Sequence, residues 1–179
     1  MNYGEIIDGC KRGEQRAQME FYALFSREVY ATAYRLLGNV FDAEEVMQEA
    51  MLKVLTDHTL LLPEQQNMLR RIKRIAINAS IDILRRGNIC EPWNDNIDAE
   101  EETGFEELLM REERVALLYK AIEELPTGYR SVVLLFVVEE LGCNDIAQIL
   151  NIKASAVRSQ LARAKKRIIE WFENYERGR

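Results

Sequence analysis

Apolar residues recur every three or four positions along most of this chain, and that spacing is typical of amphipathic helices. The clearest example is the stretch AQMEFYALFSREVYATAYRLLGN, residues 17–39, in which the apolar face continues until Gly38 and Asn39 end the pattern. No segment alternates apolar and polar residues as a strand would, and only three prolines and nine glycines interrupt the chain. The pattern therefore predicts an all-α protein.

The same spacing predicts further helices after residue 39. We expect four long helices and then a final pair, over residues 42–55, 67–87, 106–125, 128–141, 145–150 and from Ala154 onward. Asp42 is followed three residues later by Glu45, which is the spacing of a capping box, so Asp42 is the expected N-cap of its helix. Gly87 and Pro126 are expected to end two of the others.

The final pair has the organisation of a helix-turn-helix, because a short helix is joined by Asn151, Ile152 and Lys153 to a longer one. On a helical wheel, one face of the longer helix packs and the other is small, polar and basic, with Ser155, Arg158, Ser159, Arg163 and Lys166. Small residues allow close approach to a DNA groove, arginine can bind guanine edges and lysine can neutralise phosphate. The alternative is a solvated amphipathic helix packed on its neighbours.

A second polar stripe lies on the segment 67–87, which is otherwise strongly apolar. Its members are spaced by three or four residues and are Arg71, Arg74, Asn78, Asp82 and Arg85. Asparagine can pair with an adenine edge and arginine can bind phosphate or guanine, so the stripe is a second candidate DNA surface. The alternative is again a solvated face, in which Asp82 pairs with a neighbouring arginine.

Acidic residues are concentrated between these two regions. Residues 88–113 contain ten acids and one base, a net charge of −9, against −6 for the whole chain. The first part of this segment contains Gly, Pro and Asn without an apolar period, so it is predicted to be a linker between two helical domains. The predicted domains are residues 1–87 and 111–179, and the acidic linker is residues 88–110.

Composition excludes several classes of protein. No apolar run approaches the roughly 20 residues of a membrane helix, and the first residues lack the apolar core of a signal peptide, so a cytoplasmic protein without membrane insertion is expected. The three cysteines have neither disulfide nor zinc spacing. With His58 as the only histidine and no glycine-rich phosphate loop, we expect no catalytic residues, no metal, no cofactor and no enzyme activity.

Three blocks of the chain, in order, resemble the extracytoplasmic-function (ECF) sigma factors, the two-domain initiation subunits of bacterial RNA polymerase. Residues 21–55 are similar to the first conserved region of the family, and IAINASIDILRR, residues 75–86, matches its Ile-Ala-x-Asn-x-x-x-Asp-x-Leu-Arg-Arg pattern. The segments IEELPTGYRSVVLL, DIAQILNI and VRSQLARAKKRI resemble its C-terminal helix-turn-helix domain.

The resemblance implies a role for each helix. The helix from Asp42 would dock on the clamp helices of the polymerase β′ subunit through Asp42, Glu45, Gln48 and Glu49. The helix carrying Asn78 would face the −10 promoter element through Arg71, Arg74, Asn78, Arg85 and Arg86. The helix from Ala154 would enter the major groove at the −35 element through Ser155, Arg158, Ser159, Arg163 and Lys166. The linker would follow the path toward the active site and the RNA exit.

The resemblance also implies the partners: core RNA polymerase through its β′ and β subunits, promoter DNA and, as an open question, an anti-sigma factor. Two departures from the family pattern lie in the N-terminal domain, since Arg71 replaces a usual tryptophan and Met68 replaces a nearby aromatic residue. Lys153 stands where the family usually has a capping serine, so Ser155 is an alternative cap. A two-domain DNA-binding regulator that acts without polymerase is the alternative function.

Overall fold

The computed structural model describes residues 2–86 and 112–177, the side chains of residues 112–114 excepted. Every regular element in these ranges is helical, which confirms the predicted all-α class. The chain separates into two compact units, Met1–Leu84 and Arg85–Arg179. The predicted linker, residues 88–110, and the predicted helix end at Gly87 lie outside the described residues, so the predicted domain boundaries stay predictions.

The N-terminal unit is built from four α-helices. They are α1 (Tyr3–Lys11), α2 (Gln15–Leu37), α3 (Val40–Thr56) and α4 (Gln65–Arg86), with a 3-10 turn at His58–Leu60. Helix α2 packs against both α1 and α3. The apolar residues of the core that they share include Ile7, Phe21, Phe25, Val29, Val46, Met51, Val54, Met68, Ile72 and Ala76. This packing follows from the 3–4 spacing seen in the sequence.

Helix α1 was not predicted, although the sequence contains a signal for it. The Asn2 side chain accepts a hydrogen bond from the Glu5 backbone N–H at 2.9 Å, and the Glu5 carboxylate accepts one from the Asn2 N–H at 2.9 Å. This reciprocal pair is a capping box. Ile6, Ile7 and Cys10 then bury one face of the helix.

The junction of α2 and α3 corrects one predicted cap. Gly38 has a φ of 67° and ends α2, as the sequence predicts. Asn39 follows in an extended conformation and its side chain accepts a hydrogen bond from the Phe41 N–H at 2.8 Å. Helix α3 therefore begins at Val40, and the prediction that Asp42 is the N-cap is wrong. Asp42 lies instead in the first turn, where a carboxylate is favourable beside the helix dipole.

The described part of the C-terminal unit also contains four helices. They are α5 (Glu112–Glu123), α6 (Thr127–Val133), α7 (Cys143–Leu150) and α8 (Ala154–Arg177). A π-helical turn, Leu134–Val138, follows α6 directly. Helix α8 packs against α5, α6 and α7. The buried apolar residues at the centre of this unit are Leu118, Ile122, Val132, Leu135, Ile146, Leu150, Val157, Leu161 and Ile168.

The segment predicted as one helix over residues 128–141 is interrupted. The π-helical turn ends at Val138, and Glu140 has a φ of 53°, which a right-handed helix does not allow. The Leu141 N–H donates to the Leu135 carbonyl at 3.0 Å, a hydrogen bond that spans the break at Glu140. Apolar periodicity alone missed this break because the residues on both sides of it remain half-buried or buried.

The turn of the helix-turn-helix is closed by backbone hydrogen bonds. Asn151 ends α7 in the left-handed conformation, with φ 54° and ψ 48°. The Ile152 N–H donates to the Ala147 carbonyl at 3.0 Å. Helix α8 then starts at Ala154, as predicted, rather than after Ser155.

Candidate functional site

The exposed side of α8 carries cations that no described acid neutralises. Arg158, Arg163 and Lys166 are exposed, and none of the three forms an ion pair with another described residue. Ser155 is half-buried in the first turn of the helix. Arg167 differs from these cations, because its guanidinium lies 5.1 Å from the centre of the Tyr129 ring. Arg158, Arg163 and Lys166 therefore remain available to an anion such as phosphate.

Ser159 does not lie on this exposed side, and the prediction that it does is wrong. Its exposed fraction is only 5%, and Ala156, three residues earlier on the helix, is 3% exposed. A helical wheel of α8 that assumes a single buried face places Ser159 on the solvent-exposed side. Helix α8 contacts three helices, however, so a wider arc of its surface is covered than one face.

Helix α4 presents most of its predicted stripe to solvent. Arg74, Asn78, Asp82, Arg85 and Arg86 are all exposed, while the other sides of the helix bury residues such as Ile72, Ala76, Ile77, Ile81 and Leu84. The exposed residues Arg74, Asn78, Asp82 and Arg85 follow one another at intervals of four, four and three positions, so they form one continuous edge. That edge combines amide and guanidinium groups, which can contact both bases and phosphates.

Arg71 has a different environment from the rest of the stripe. It is half-buried, and its Nη1 donates to the Leu60 carbonyl at 3.2 Å. Met68 is fully buried, and its Sδ accepts a hydrogen bond from the Leu62 N–H at 3.3 Å. From α1, the Tyr3 hydroxyl donates to the Leu62 carbonyl at 2.8 Å. The expectation that Arg71 belongs to the exposed stripe is therefore wrong, because its guanidinium helps to hold the backbone before α4.

We call Tyr3, Met68 and Arg71 the 60–62 clamp, since together they hold the backbone from Leu60 to Leu62. Burial, with a smaller contribution from the nearby Cys10, raises the pKa of the Tyr3 hydroxyl to about 12. The hydroxyl is therefore a stable donor at neutral pH. No local pattern encodes this clamp, because Tyr3 on α1 meets Leu62, 59 positions away along the chain.

The outer face of α3 carries the residues predicted to bind polymerase. Glu45, Gln48 and Glu49 are exposed, and Asp42 is half-buried at the start of the helix. The first three line a groove of about 430 Å³ together with the apolar residues Tyr22, Met51, Leu52 and Leu55. A shallow apolar groove with an acidic rim suits a protein partner rather than a nucleic acid.

Sequence reasoning missed the large apolar residues that α3 exposes. Phe41 is 81% exposed and Leu52 is 63% exposed. Their signal was their distance from Gln48, because residues seven before and four after it lie on the same outer side of the helix. Among the described residues, no cluster of three or more metal-binding side chains occurs, and no helix is long and apolar enough to span a membrane.

Comparison with known proteins explains why both helical units occur in one chain. The family described as Sigma-70 region 2 matches residues 21–88, and the family described as Sigma-70, region 4 matches residues 116–168. The ECF RNA polymerase sigma factor SigW of Bacillus subtilis is 28% identical over 176 residues, which cover 89% of this chain and 91% of the relative. Together the two sigma-70 families match more than half of the residues, so this chain is a sigma factor with regions 2 and 4. It is similar to the ECF sigma factors.

One further relative and one solved structure are also similar to this chain. The ECF RNA polymerase sigma factor SigE of Mycolicibacterium smegmatis is 29% identical over 151 residues, which cover 82% of this sigma factor and 58% of that relative. The structure of the sigma factor RpoE in complex with the anti-sigma factor NepR from Bartonella quintana superposes with a TM-score of 0.53. The identity there is 16%, with 87% of this chain and 96% of that chain covered, so the likeness concerns the fold.

Membership of this family establishes the general function. This sigma factor binds core RNA polymerase and directs promoter-specific transcription initiation. The alternative of a regulator that acts without polymerase is not favoured, because regions 2 and 4 of sigma-70 occur together and in order on one chain.

Proposed function

We propose that this sigma factor divides its work among three helical surfaces: the outer face of α3 for core polymerase, the exposed edge of α4 for the −10 element and the exposed side of α8 for the −35 element. The observation that carries the proposal is the occurrence of one exposed polar stripe in each sigma-70 region, on α4 and on α8, together with an acidic groove on α3.

The proposed polymerase surface consists of Asp42, Glu45, Gln48 and Glu49. Three of them rim the groove on α3, where exposed carboxylates stand beside apolar side chains. Such a combination can bind a basic and partly apolar partner surface, and the β′ clamp helices are the proposed partner. A contact with the β subunit belongs to the proposal as well, without residues assigned to it.

The proposed −10 surface is the edge formed by Arg74, Asn78, Arg85 and Arg86. Asn78 lies at its centre, where its amide can pair with an adenine edge while the arginines contact phosphates. We assign Arg71 an indirect part, since its hydrogen bond to Leu60 positions the backbone just before α4. Met68 and Arg71 occupy two positions where aromatic residues could stack on melted bases, and both belong to the 60–62 clamp. This favours recognition of the −10 element through polar contacts.

The proposed −35 surface is formed by Ser155, Arg158, Arg163 and Lys166 at the side of α8 that no described residue covers. Helix α7 and the turn at Asn151 set the orientation of α8, as in other helix-turn-helix units. Arg158 is the residue that we expect to contact a base, and Lys166 is expected to contact phosphate. Because Ser159 is buried, it is not included in this surface.

Other parts of the proposal concern the whole chain. The domains at residues 1–87 and 111–179 are proposed to be joined by the acidic linker at residues 88–110, which would follow the polymerase channel toward the RNA exit. We propose that the protein acts in the cytoplasm, by binding rather than by catalysis. An anti-sigma factor is a further proposed partner, supported by the fold likeness to a sigma factor held by one.

The test of the polymerase surface is a co-purification experiment. Gln48→Ala combined with Glu49→Lys is expected to reduce the amount of core polymerase recovered with the protein, because the change removes an amide and inverts a charge at the groove. Both residues are exposed, so the helical content measured by circular dichroism should stay that of the wild type. Full binding and full promoter-specific transcription by the double variant would show that the α3 surface is misassigned.

A further inference from the structure

The outer face of α3 forms a stripe that is longer than the predicted polymerase surface. Phe41, Glu45, Gln48 and Leu52 are separated by four, three and four residues, so they lie along one line of the helix. The opposite side of α3 is buried in the core through Ala43, Val46, Met47, Ala50, Met51 and Val54. The stripe is therefore the part of α3 that faces away from its own unit.

Large apolar residues stand at both ends of this stripe. Phe41 is 81% exposed at one end and Leu52 is 63% exposed at the other. Eleven residues separate them, a distance of about 16 Å along the helix axis. A single exposed apolar residue is ordinary, but two aligned on one stripe with a groove beside one of them mark a contact surface.

The groove shows how one end of the stripe would receive a partner. Leu52 and Tyr22 lie on its wall together with Met51 and Leu55, so an apolar side chain can enter between α2 and α3. Phe41 has no such wall and projects instead from the first turn of α3. An exposed aromatic side chain of this kind is suited to enter a pocket on the partner.

The charge on α3 restricts what can lie along the stripe. Residues 40–56 contain Asp42, Glu44, Glu45 and Glu49 against Lys53, a net charge of −3. Glu45 and Gln48 occupy the middle of the stripe, between the two apolar ends. A complementary partner is therefore basic at its centre and apolar at both ends.

We infer that Phe41 is an apolar anchor of the surface through which α3 binds core polymerase. The polymerase element that it meets is an α-helix with basic residues at its centre and apolar residues about three turns apart, because a straight stripe at helical spacing fits best against another helix. This inference rests on the proposed role of α3, and it adds an apolar anchor next to Asp42, in the first turn of the helix.

Equilibrium titration of the full-length protein against purified core polymerase, across a salt series, tests this inference. Phe41→Ala is expected to weaken binding about tenfold at every salt concentration, since interface anchors lose most of their contact when truncated to alanine. Phe41→Leu should restore part of the affinity. Glu45→Gln, by contrast, should reduce the dependence of the affinity on salt.

The matched control is Leu24→Ala, which removes another exposed apolar side chain of the same unit. Leu24 is 41% exposed on α2 and lies two residues from Tyr22, so it faces away from the groove. This variant should bind core polymerase like the wild type. Thermal unfolding of each variant should match the wild type as well, because neither residue is part of the core.

The outcomes separate the inference from the proposed function on which it rests. If Phe41→Ala binds within twofold of the wild type while Glu49→Lys binds weakly, Phe41 is not an anchor, and the assignment of α3 stands. If Glu49→Lys and Gln48→Ala also bind normally, both the assignment of α3 and the inference are overturned. An equal loss for Leu24→Ala would also overturn the inference, because the effect would then not depend on the stripe.

Discussion

Among single residues, those of the 60–62 clamp show that side chains on a predicted DNA-facing helix can have a structural role. Arg71 and Met68 belong to the same segment as Asn78, yet both bind the backbone of residues 60–62. Tyr3 binds the same segment from the other end of the sequence, 59 residues away. These hydrogen bonds hold the backbone just before α4, and so they position the start of the helix that carries the exposed edge.

Tyr3→Phe is expected to lower the free energy of unfolding by about 1 kcal/mol at neutral pH, because the Leu62 carbonyl loses its donor. The raised pKa means that the folded state holds the phenolic proton more tightly than the unfolded state does. Its stabilising contribution is therefore complete below pH 10.0, the ordinary pKa, and is lost as the pH rises toward about 12.

Urea unfolding over a pH series checks this prediction. The wild type should lose more stability above pH 10.0 than Tyr3→Phe does. Tyr175→Phe is the control, since it removes a phenolic hydroxyl that is exposed at the end of α8. Identical pH dependence in the wild type and Tyr3→Phe would mean that the buried hydroxyl does not have the assigned environment.

Glu140→Gly is expected to stabilise the protein relative to Glu140→Ala. The φ of 53° at Glu140 places a side chain in the left-handed region, which costs roughly 1–2 kcal/mol for residues with a Cβ atom and almost nothing for glycine. Part of that gain is offset by the greater freedom of glycine in the unfolded chain. We therefore expect a net difference of about 1 kcal/mol between the two variants.

Chemical unfolding of the two Glu140 variants side by side gives that difference directly. The alanine variant removes the same carboxylate while keeping the Cβ atom, so the comparison isolates the backbone effect. A glycine variant no more stable than the alanine variant would rule out strain at this turn.

Among the helices, the two proposed DNA-binding helices, α4 and α8, expose different kinds of side chain. Both are long helices that bury two sides or a wide arc and leave a narrow polar surface exposed. On α4 this surface is centred on an amide, at Asn78, with arginines around it. On α8 it consists mainly of cations and small residues. The surface of α4 is therefore suited to contacts with base edges, and that of α8 to a major groove flanked by phosphates.

The two helices are predicted to act on different promoter segments. Arg158→Ala should change base preference near −35, and Asn78→Ala should change it near −10 and impair strand opening. Each lost bidentate base contact is worth roughly 1–3 kcal/mol of discrimination. Footprinting of holoenzyme formed with each variant, on promoters substituted in one element at a time, measures both effects. A shift of preference at the same bases for both variants would contradict the division of labour.

At the scale of the whole molecule, opposite charges are collected in different parts of the sequence. Residues 153–179 contain eight bases and three acids, a net charge of +5, whereas residues 88–113 carry −9. A tethered acidic segment is held at high effective concentration near any basic surface of the same chain. It should therefore compete with promoter phosphates for the cations of α8 in the free protein, most strongly at low salt.

Replacement of five linker acids by glutamine tests this competition. The variant carries the changes at Glu100, Glu101, Glu102, Glu106 and Glu107, and we expect it to bind promoter DNA more tightly than the wild type does. Fluorescence anisotropy with a promoter duplex, recorded from low to high salt, is the measurement, and the difference should shrink as salt increases. Equal affinities at low salt would show that the linker is only a tether.

The features that could be predicted correctly are those that depend on neighbouring residues in the chain. The spacing of apolar positions predicted seven of the helices, Gly38 predicted the end of α2, and the start of α8 at Ala154 was predicted as well. The ordered motifs also predicted the family. These signals are local, because helix periodicity, caps and turns are set by residues within a few positions of one another.

Which of the candidate residues face solvent depends on the packing of distant elements and could not be predicted. A helical wheel placed Ser159 and Arg71 on exposed faces. The fraction of a helix surface that is buried depends, however, on how many elements pack against it. The bond between Tyr3 and Leu62 joins residues 59 positions apart, and no local pattern encodes it. The exposure of Phe41 is likewise a property of the packed unit, since a large apolar residue is expected to be buried unless the tertiary structure shows otherwise.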